Sequence, residues 1–436
     1  RPNSAGDTWQ FGGAVDEAAI WNRTLSASEI KDLYRLGAGK YFWKVNVTDE
    51  HGGNNESETR EFTVNLGSCR EINEQGYYLL TKDLGPIDGS CFYIDADNVT
   101  LDGDGHYILG DGDTNGYGVI AEDRLNITIR NLTVTEFNRG IQLDGTDDSL
   151  IENNNLSYNG RGVTLIYSSN NNRVINNTAN YNSQIGISIY SSGNNYILDN
   201  TVNYNYYSGA TKYGGITLVS SSDNNYLGGN EASYNSKNGI TIWSSHLNNL
   251  MDNTVSSNQE SGIHFTTTSG ENVLLNNQIS NNTAYAIEDV TPDSHINYLL
   301  YNNSEGEIRW TDDSSGAFLR NLTVEGDLVW GNVTIEYNFS ELIVEAFTGN
   351  LINSSVNITL AGYPGLGFIE PVILRNGEFV CDETTDPSCY NFTSLEAQDV
   401  VFSASSWSNY SIGEGYGVWT GELYVCGIID EPGYYV

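Results

Sequence analysis

The sequence predicts an all-β protein, a parallel β-helix of about 8–10 turns with small β-sandwich modules at its flanks. Three observations predict it. Asparagine-type positions return about every 23 residues along the middle of the chain, in registers five residues apart. Short period-2 runs of apolar residues stand between them, such as Gly186 to Ile189 and Tyr196 to Leu198, and these are strand patterns. No unit has space for a ten-residue amphipathic helix, which excludes a leucine-rich horseshoe.

The units can be followed in order. The first register runs Asn126, Ser149, Asn172, Asn195, Asn225, Asn248, Asn272, Asn297, and the second Asn131, Asn154, Asn177, Asn200, Asn230, Asn253, Asn277, Asn302. The third is Asn159, Asn182, Asn205, Asn235, Asn258, Asn282, and a Gly shortly after it opens the next strand (Gly140, Gly162, Gly186, Gly215, Gly239, Gly262). Turns stacked about 4.8 Å apart let a corner amide bond the one above, so these residues read as scaffold. Tyr158, Tyr181, Tyr204 and Tyr234 each precede a third-register Asn. Such a column stabilises a solenoid face, or offers a platform to a sugar chain or a neighbouring subunit. An insertion, Tyr206 to Gly214 with Lys212, lies beside Tyr204.

At 436 residues the chain has room for two or three domains. Its 19 Lys and Arg against 56 Asp and Glu give a net charge of −37, which argues against nucleic acid and anionic membranes as partners. No apolar run reaches the length of a membrane span. No signal-peptide pattern is present, and the chain opens at Arg1-Pro2 inside what reads as a domain. A processed product or a segment of something larger is expected.

Asparagine also appears in Asn-x-Ser/Thr sequons: Asn22, Asn46, Asn55, Asn98, Asn126, Asn131, Asn155, Asn176, Asn281, Asn302, Asn321, Asn332, Asn338, Asn353, Asn357, Asn391 and Asn409. None falls between Asn177 and Ser280, where Asn is densest, so ladder and sequon asparagines read as separate populations. Covalent N-linked glycans on an exported protein are the expectation. The cysteines agree with export. Cys69 with Cys91 and Cys381 with Cys389 read as local disulfides, which leaves Cys426 over. The segment Cys69-Arg-Glu-Ile-Asn-Glu-Gln-Gly-Tyr-Tyr-Leu returns as Cys426-Gly-Ile-Ile-Asp-Glu-Pro-Gly-Tyr-Tyr-Val. Residues 416–436 therefore read as the start of a second copy of the entry segment 69–80. The partner of Cys426 is expected in a continuing chain or in another molecule.

The entry segment, with Gly76-Tyr77-Tyr78-Leu79, Asn98 to Gly103 and Asn126 to Val134, resembles cell-surface proteins of archaea and bacteria. These carry right-handed parallel β-helices of the NosD and pectate-lyase-like kind, which sets the span 68–340 as the solenoid. Residues 1–38, with Phe11 to Glu17 and Trp21 to Ser26, resemble the tail of a laminin-G or concanavalin-like module. Residues 39–67 resemble an immunoglobulin-like hairpin. Residues 341–415 read as a small β-sandwich, whose Cys381–Cys389 loop resembles the module closing such β-helices.

The resemblance raises polysaccharide chemistry. Asp147-Asp148 resembles the paired aspartates of pectin hydrolases, but the other motifs of that family are absent. A lyase needs a cationic base near acidic calcium ligands, and Arg161, Arg173, Lys212 and Lys237 read as scattered over different turns. Copper, linked to NosD-type relatives, finds one Met and five His that do not cluster by spacing. Calcium finds Asp111, Asp113, Asn115 and Glu122 at the spacing of a calcium loop, without the flanking helices.

These readings lead to a non-enzymatic, extracellular structural component of the cell surface: a surface-layer, sheath or filament subunit. It requires no cofactor, with calcium the one candidate. Its partners are copies of itself, adjacent domains of a longer chain, or glycans. Assembly is expected through terminal β segments, so deleting Cys426 to Val436 should abolish it. The alternatives are a carbohydrate-binding adhesin using the tyrosine face and a polysaccharide lyase- or hydrolase-like enzyme.

Overall fold

The computed structural model describes residues 39–43, 46–48, 54–56, 60–112, 115–209, 213–292, 297–304 and 306–311, short segments at 324–325, 328, 333–336 and 339–342, and residues 355–361, 368–406 and 408–415. Contacts divide the chain into Arg1–Gly37 and Ala38–Val436. The laminin-like tail, the repeated segment and Cys426 lie outside the described residues, as do Asn22, Asn321, Asn332, Asn338, Asn353, Asp113 and Lys212. Asn46 and Asn55 are placed by backbone only.

The described residues form no helix and build a β-solenoid of about nine turns. Three parallel sheets run along it. Sheet 1 has 16 strands and carries the short solenoid strands Gly76–Leu80 through Tyr298–Asn303. Sheet 2 has 11 strands, from Arg70–Ile72 to Tyr285–Asp289 and an antiparallel closing strand Val324–Glu325. Sheet 3 begins with Leu84–Ile87, Tyr107–Gly110 and Thr133–Thr135, then thins to single bridges through Asn155, Thr178, Thr201 and Glu231. Sheet 1 turns antiparallel at both ends, pairing Gly39–Trp43 with Arg60–Leu66 and Tyr298–Asn303 with Gly306–Trp310. It then passes into Val356–Leu360, Val400–Ala404 and Cys389–Asn391. The chain's own strands thus cover the C-terminal edges of both large sheets.

One turn shows why this sequence coils. Arg173–Ile175 lies in sheet 1 with Val174 buried, and Ile185–Tyr190 lies in sheet 2 with Ile187 and Ile189 buried. The corners are made by residues at positive φ, Asn171, Asn176 and Tyr181, each immediately before a ladder asparagine, Asn172, Asn177 and Asn182. Asn tolerates that left-handed region because its short polar side chain bonds locally. The ladder side chains turn inward. Asn177 donates its backbone N–H to Asn200 Oδ1 at 2.9 Å, and its amide to Ile151 O at 2.9 Å and Asn200 Oδ1 at 3.1 Å. The corner backbone, which no sheet can satisfy, is satisfied by side chains from the next turn. Stacked apolar columns such as Ile151, Val174, Ile197, Leu227, Leu250 and Leu274 fill the interior, each side chain worth about 1.5–3 kcal/mol on burial.

Two register assignments change. Ile127 N–H, not a group of Asn126, bonds Ser149 Oγ at 2.9 Å, and Leu132 N–H bonds Asn154 Oδ1 at 3.0 Å. Asn126 and Asn131 therefore stand one residue outside the ladder, at positive φ on the surface side. Both are sequon asparagines, and sequon Asn98, Asn176 and Asn281 adopt the same conformation.

Disulfides join Cys69 to Cys91 and Cys381 to Cys389. The first ties the entry strand to the turn above across 22 residues, a loop for which chain entropy gives about 3 kcal/mol. Replacing Cys69 and Cys91 together by Ser should lower unfolding free energy by about 2–4 kcal/mol in urea titrations.

Candidate functional site

Sheet 2 presents one face to the core and the other outward. Val119, Ile141, Val163, Ile187, Ile216, Ile240 and Ile263 point in. The next residue on each strand makes an outer column, Ile120, Gln142, Thr164, Ser188, Thr217, Thr241, His264. Two residues further runs a second one: Glu122, Asp144, Ile166, Tyr190, Val219, Trp243, Thr266.

At the start of the strands, Tyr117, Arg139 and Arg161 are direct register partners on consecutive turns. Strict alternation would aim both arginines at the core. It fails because pairing skips Gly140 and Gly162, whose backbone folds into the corner. A Cβ on Gly162 would meet Ala179 Cβ at 2.8 Å and Gly186 O at 2.7 Å, so only glycine fits. The kink releases the two guanidinium groups onto the outer face.

Arg139 lies over the Tyr117 ring at 5.5 Å and donates from Nη1 to Tyr117 Oη at 3.1 Å. Arg161 donates from Nε to Gln184 Oε1 at 3.0 Å. Burial and the charge of Arg139 hold the Arg161 guanidinium below its ordinary pKa, against the pull of Tyr207 and Tyr213. The Asp144 carboxyl shifts the other way. Burial, then the charges of Glu122 and Asp123, raise it above the usual carboxylate range, with Arg139 opposing. Glu122 is its register partner one turn before, and accepts a hydrogen bond from the Tyr93 hydroxyl. Beneath these groups, buried Gln142 Oε1, Thr164 Oγ1 and Arg139 Nε meet no hydrogen-bonding protein atom. Leaving such atoms unmatched costs about 1–3 kcal/mol each.

The tyrosine column forms as expected and also limits itself. Tyr158, Tyr181, Tyr204 and Tyr234 stack with centroids 5.2, 4.9 and 4.8 Å apart and planes within 7°. All four sit at positive φ, which is costly for a bulky residue and offset here by stacking. The inner rings have both faces against neighbours, so the column shows outward its edges and hydroxyls rather than a flat sugar platform.

Other sequence candidates disperse. Asp111 and Asn115 are exposed near the turn, while Glu122 ends the six-residue strand Tyr117–Glu122. A strand of that length carries Glu122 roughly 17–20 Å from the loop, so Glu122 does not join Asp111 and Asn115 there. Treatment with a chelator should leave the melting temperature unchanged. Asp147 accepts the Asn170 N–H at 2.6 Å in a corner and Asp148 sits at positive φ, so this pair is turn chemistry. Among the described residues no group of three or more His, Cys, Asp or Glu is placed to hold a metal, and no helix is long and apolar enough to cross a membrane. Asn155 and Asn391 are exposed, Asn302 and Asn409 half-buried, and Asn357 stands in a strand.

Fold and face together define a right-handed β-helix protein whose outer sheet 2 face carries polar, charged and aromatic side chains. The solenoid is of the NosD and pectate-lyase-like kind. Residues 88–231 match the family model "Right handed beta helix region" and residues 208–307 match "Periplasmic copper-binding protein (NosD)". No curated protein matches the chain. Similar solved structures include the mannuronan C-5 epimerase AlgE4 A-module of Azotobacter vinelandii, 17% identical over 52% of this chain and 71% of that one, TM-score 0.36. The periplasmic alginate epimerase AlgG is 12% identical over 62% and 82%, TM-score 0.32. The enzymatically active domain of bacteriophage CBA120 tailspike protein 2 is 16% identical over 52% and 38%, TM-score 0.38. At such identities the likeness is one of fold.

The expectation of a non-enzymatic chain is corrected: solved solenoids of similar fold are named as epimerases and as an enzymatically active domain, so the fold itself does not exclude catalysis. Its physical ground, that the cations are scattered, overlooked Arg139, whose register partner on the next turn is Arg161.

Proposed function

We propose that this chain is an exported polysaccharide-binding protein that acts on its glycan at the outer face of sheet 2, in the manner of a hydrolase or lyase. One observation carries the reading: two carboxyls on adjacent turns, Glu122 and Asp144, with the Asp144 pKa pushed up, on the sheet face whose other end holds the register-paired arginines Arg139 and Arg161. Adjacent parallel strands lie about 4.8 Å apart, which sets the two backbones near the separation that retaining glycosidases use between their carboxyls. A carboxyl with a raised pKa is suited to donate a proton to a leaving glycosidic oxygen, and a second carboxyl one turn away to face the positive charge that develops on the sugar. Arg139 and Arg161 suit a carboxylate or sulfate on the sugar, since a guanidinium pairs planar oxyanions. The two disulfides fit an oxidising, extracytoplasmic location.

Incubation with polyuronates, sulfated glycans and neutral glucans, read by reducing-end release and by the ultraviolet absorbance of unsaturated products, tests it. Release without new absorbance supports hydrolysis, and absorbance supports elimination. Binding with no turnover points instead to a carbohydrate-binding adhesin on the same face, and neither binding nor turnover sinks the proposal. Intact-mass measurement tests N-glycosylation separately: a mass equal to the bare polypeptide removes it.

A further inference from the structure

The ladder repeats every 22 to 25 residues except at one turn, where all three registers span 30, as from Asn205 to Asn235. The extra residues follow Tyr204 and precede strand Ile216–Val219. Both ends of this insertion are fixed. Tyr207 N–H donates to Ser236 Oγ at 2.9 Å, and Gly214 N–H donates to Thr217 Oγ1 at 3.0 Å in the outer column. A Cβ at Gly214 would meet Asn238 O at 2.8 Å and Gly239 O at 2.9 Å, so the backbone comes this close to the next turn at residue 214 only because that residue is glycine.

What the anchors position is aromatic. Tyr207 and Tyr213 meet at 5.1 Å and 55°, and Tyr213 meets Trp243 at 5.8 Å and 52°. All three are half-buried. The contrast with the tyrosine column is geometric: parallel rings cover one another's faces, whereas rings tilted by half a right angle or more leave faces open into the corner between them. Trp243 stands in the outer column that holds Asp144, with small Val219 between it and Tyr190. Both tyrosines of the insertion also lie within the field of Arg161.

We infer that Tyr207, Tyr213 and Trp243 form a stacking subsite for the C–H-rich face of a pyranose ring. The inference rests on the reading that this face takes a glycan. Aromatic faces attract such apolar sugar faces while the ring's hydroxyls and any acidic group remain at the periphery, where Arg161 is. From the turn of Asp144 to that of Trp243 is four turns, about 19 Å at the rise of stacked strands. A disaccharide placed at the carboxyl pair cannot span that distance, and a longer oligomer can. The subsite therefore selects for chain length.

The test uses the full chain, with disaccharides and hexasaccharides of galacturonate, mannuronate and glucose as probes, followed by calorimetry and tryptophan emission. Hexasaccharide binding should perturb the emission of wild type and not of Trp243→Phe. Tyr213→Ala and Trp243→Ala should each weaken hexasaccharide binding about tenfold and leave disaccharide binding unchanged, with unaltered melting temperatures confirming the fold. If both variants bind the hexasaccharide like wild type while Arg139→Gln and Arg161→Gln weaken it, the subsite is refuted and the functional reading stands. If wild type binds none of the probes and no sulfated hexasaccharide, both fall.

Discussion

Asp144→Asn should lower turnover on the preferred glycan by about 10²–10⁴-fold, the range for removing a general acid, with little change in affinity. Asn keeps the size of the side chain and removes the proton it would donate. Glu122→Gln should cost a comparable factor, and the double variant little more, because the two carboxyls act as a unit. Stability supplies a second reading with the opposite sign. The folded-state pKa of Asp144 is raised above its unfolded value, so the folded state binds the proton more tightly and ionisation works against it. The destabilisation is therefore present above the folded pKa and disappears as pH falls below the unfolded value, about 3.9. Asp144→Asn should accordingly melt higher than wild type at neutral pH and no higher in acid. A variant that is less stable at neutral pH, with turnover intact, would show Asp144 to be an ordinary surface carboxylate.

Asn230→Ala should remove about 3–5 kcal/mol of stability. The side chain is fully buried; its Oδ1 accepts from the backbone and side-chain N–H of Asn200, both at 3.0 Å. Its amide donates to Ile197 O at 2.7 Å and to Asn253 Oδ1 at 3.0 Å. Alanine strands these partners where no sheet bond replaces them. Asn230→Asp should be worse, since it adds a buried charge and turns a donor toward acceptors into a further acceptor. Exposed Asn155→Ala, on the neighbouring face, is the control and should fall within about 0.5 kcal/mol of wild type. Urea unfolding followed by circular dichroism measures both. Equal losses at Asn230 and Asn155 would contradict the ladder's part in stability. Because a solenoid's turns contact mainly their neighbours, the Asn230 variant should unfold with a broader transition.

Much of the fold was legible because its cause is periodic. A side chain that must bond its counterpart one turn away recurs at the length of a turn, so Asn172, Asn195 and Asn225 stand out unaided. The first turns were misaligned by one residue for a physical reason. Asn is favoured both inside the corner as a ladder member and just before it at positive φ, so Asn126 and Asn131 resemble ladder members while Ile127 and Leu132 hold those places. The site was less legible. Arg139 and Arg161 lie 22 residues apart, at the period itself, and that spacing was the available signal. Period-2 alternation nevertheless assigns them to the core side. Only the skipped pairing at Gly140 and Gly162 puts them outside.

The sequence by itself determined the coil, its strands, the ladder and the two disulfides, since each follows from residue type at a fixed interval. The tertiary structure decided what the intervals bring together. It set Glu122 beside Asp144, opened the aromatic corner at Trp243, closed the tyrosine column upon itself and drew Glu122 away from the calcium loop. The reason is that a solenoid converts one turn of sequence into one strand spacing of about 4.8 Å, while a straight strand carries residues near in sequence far apart. Proximity across turns depends on register to the residue, and which face a side chain takes depends on a break in alternation that the interval alone does not reveal.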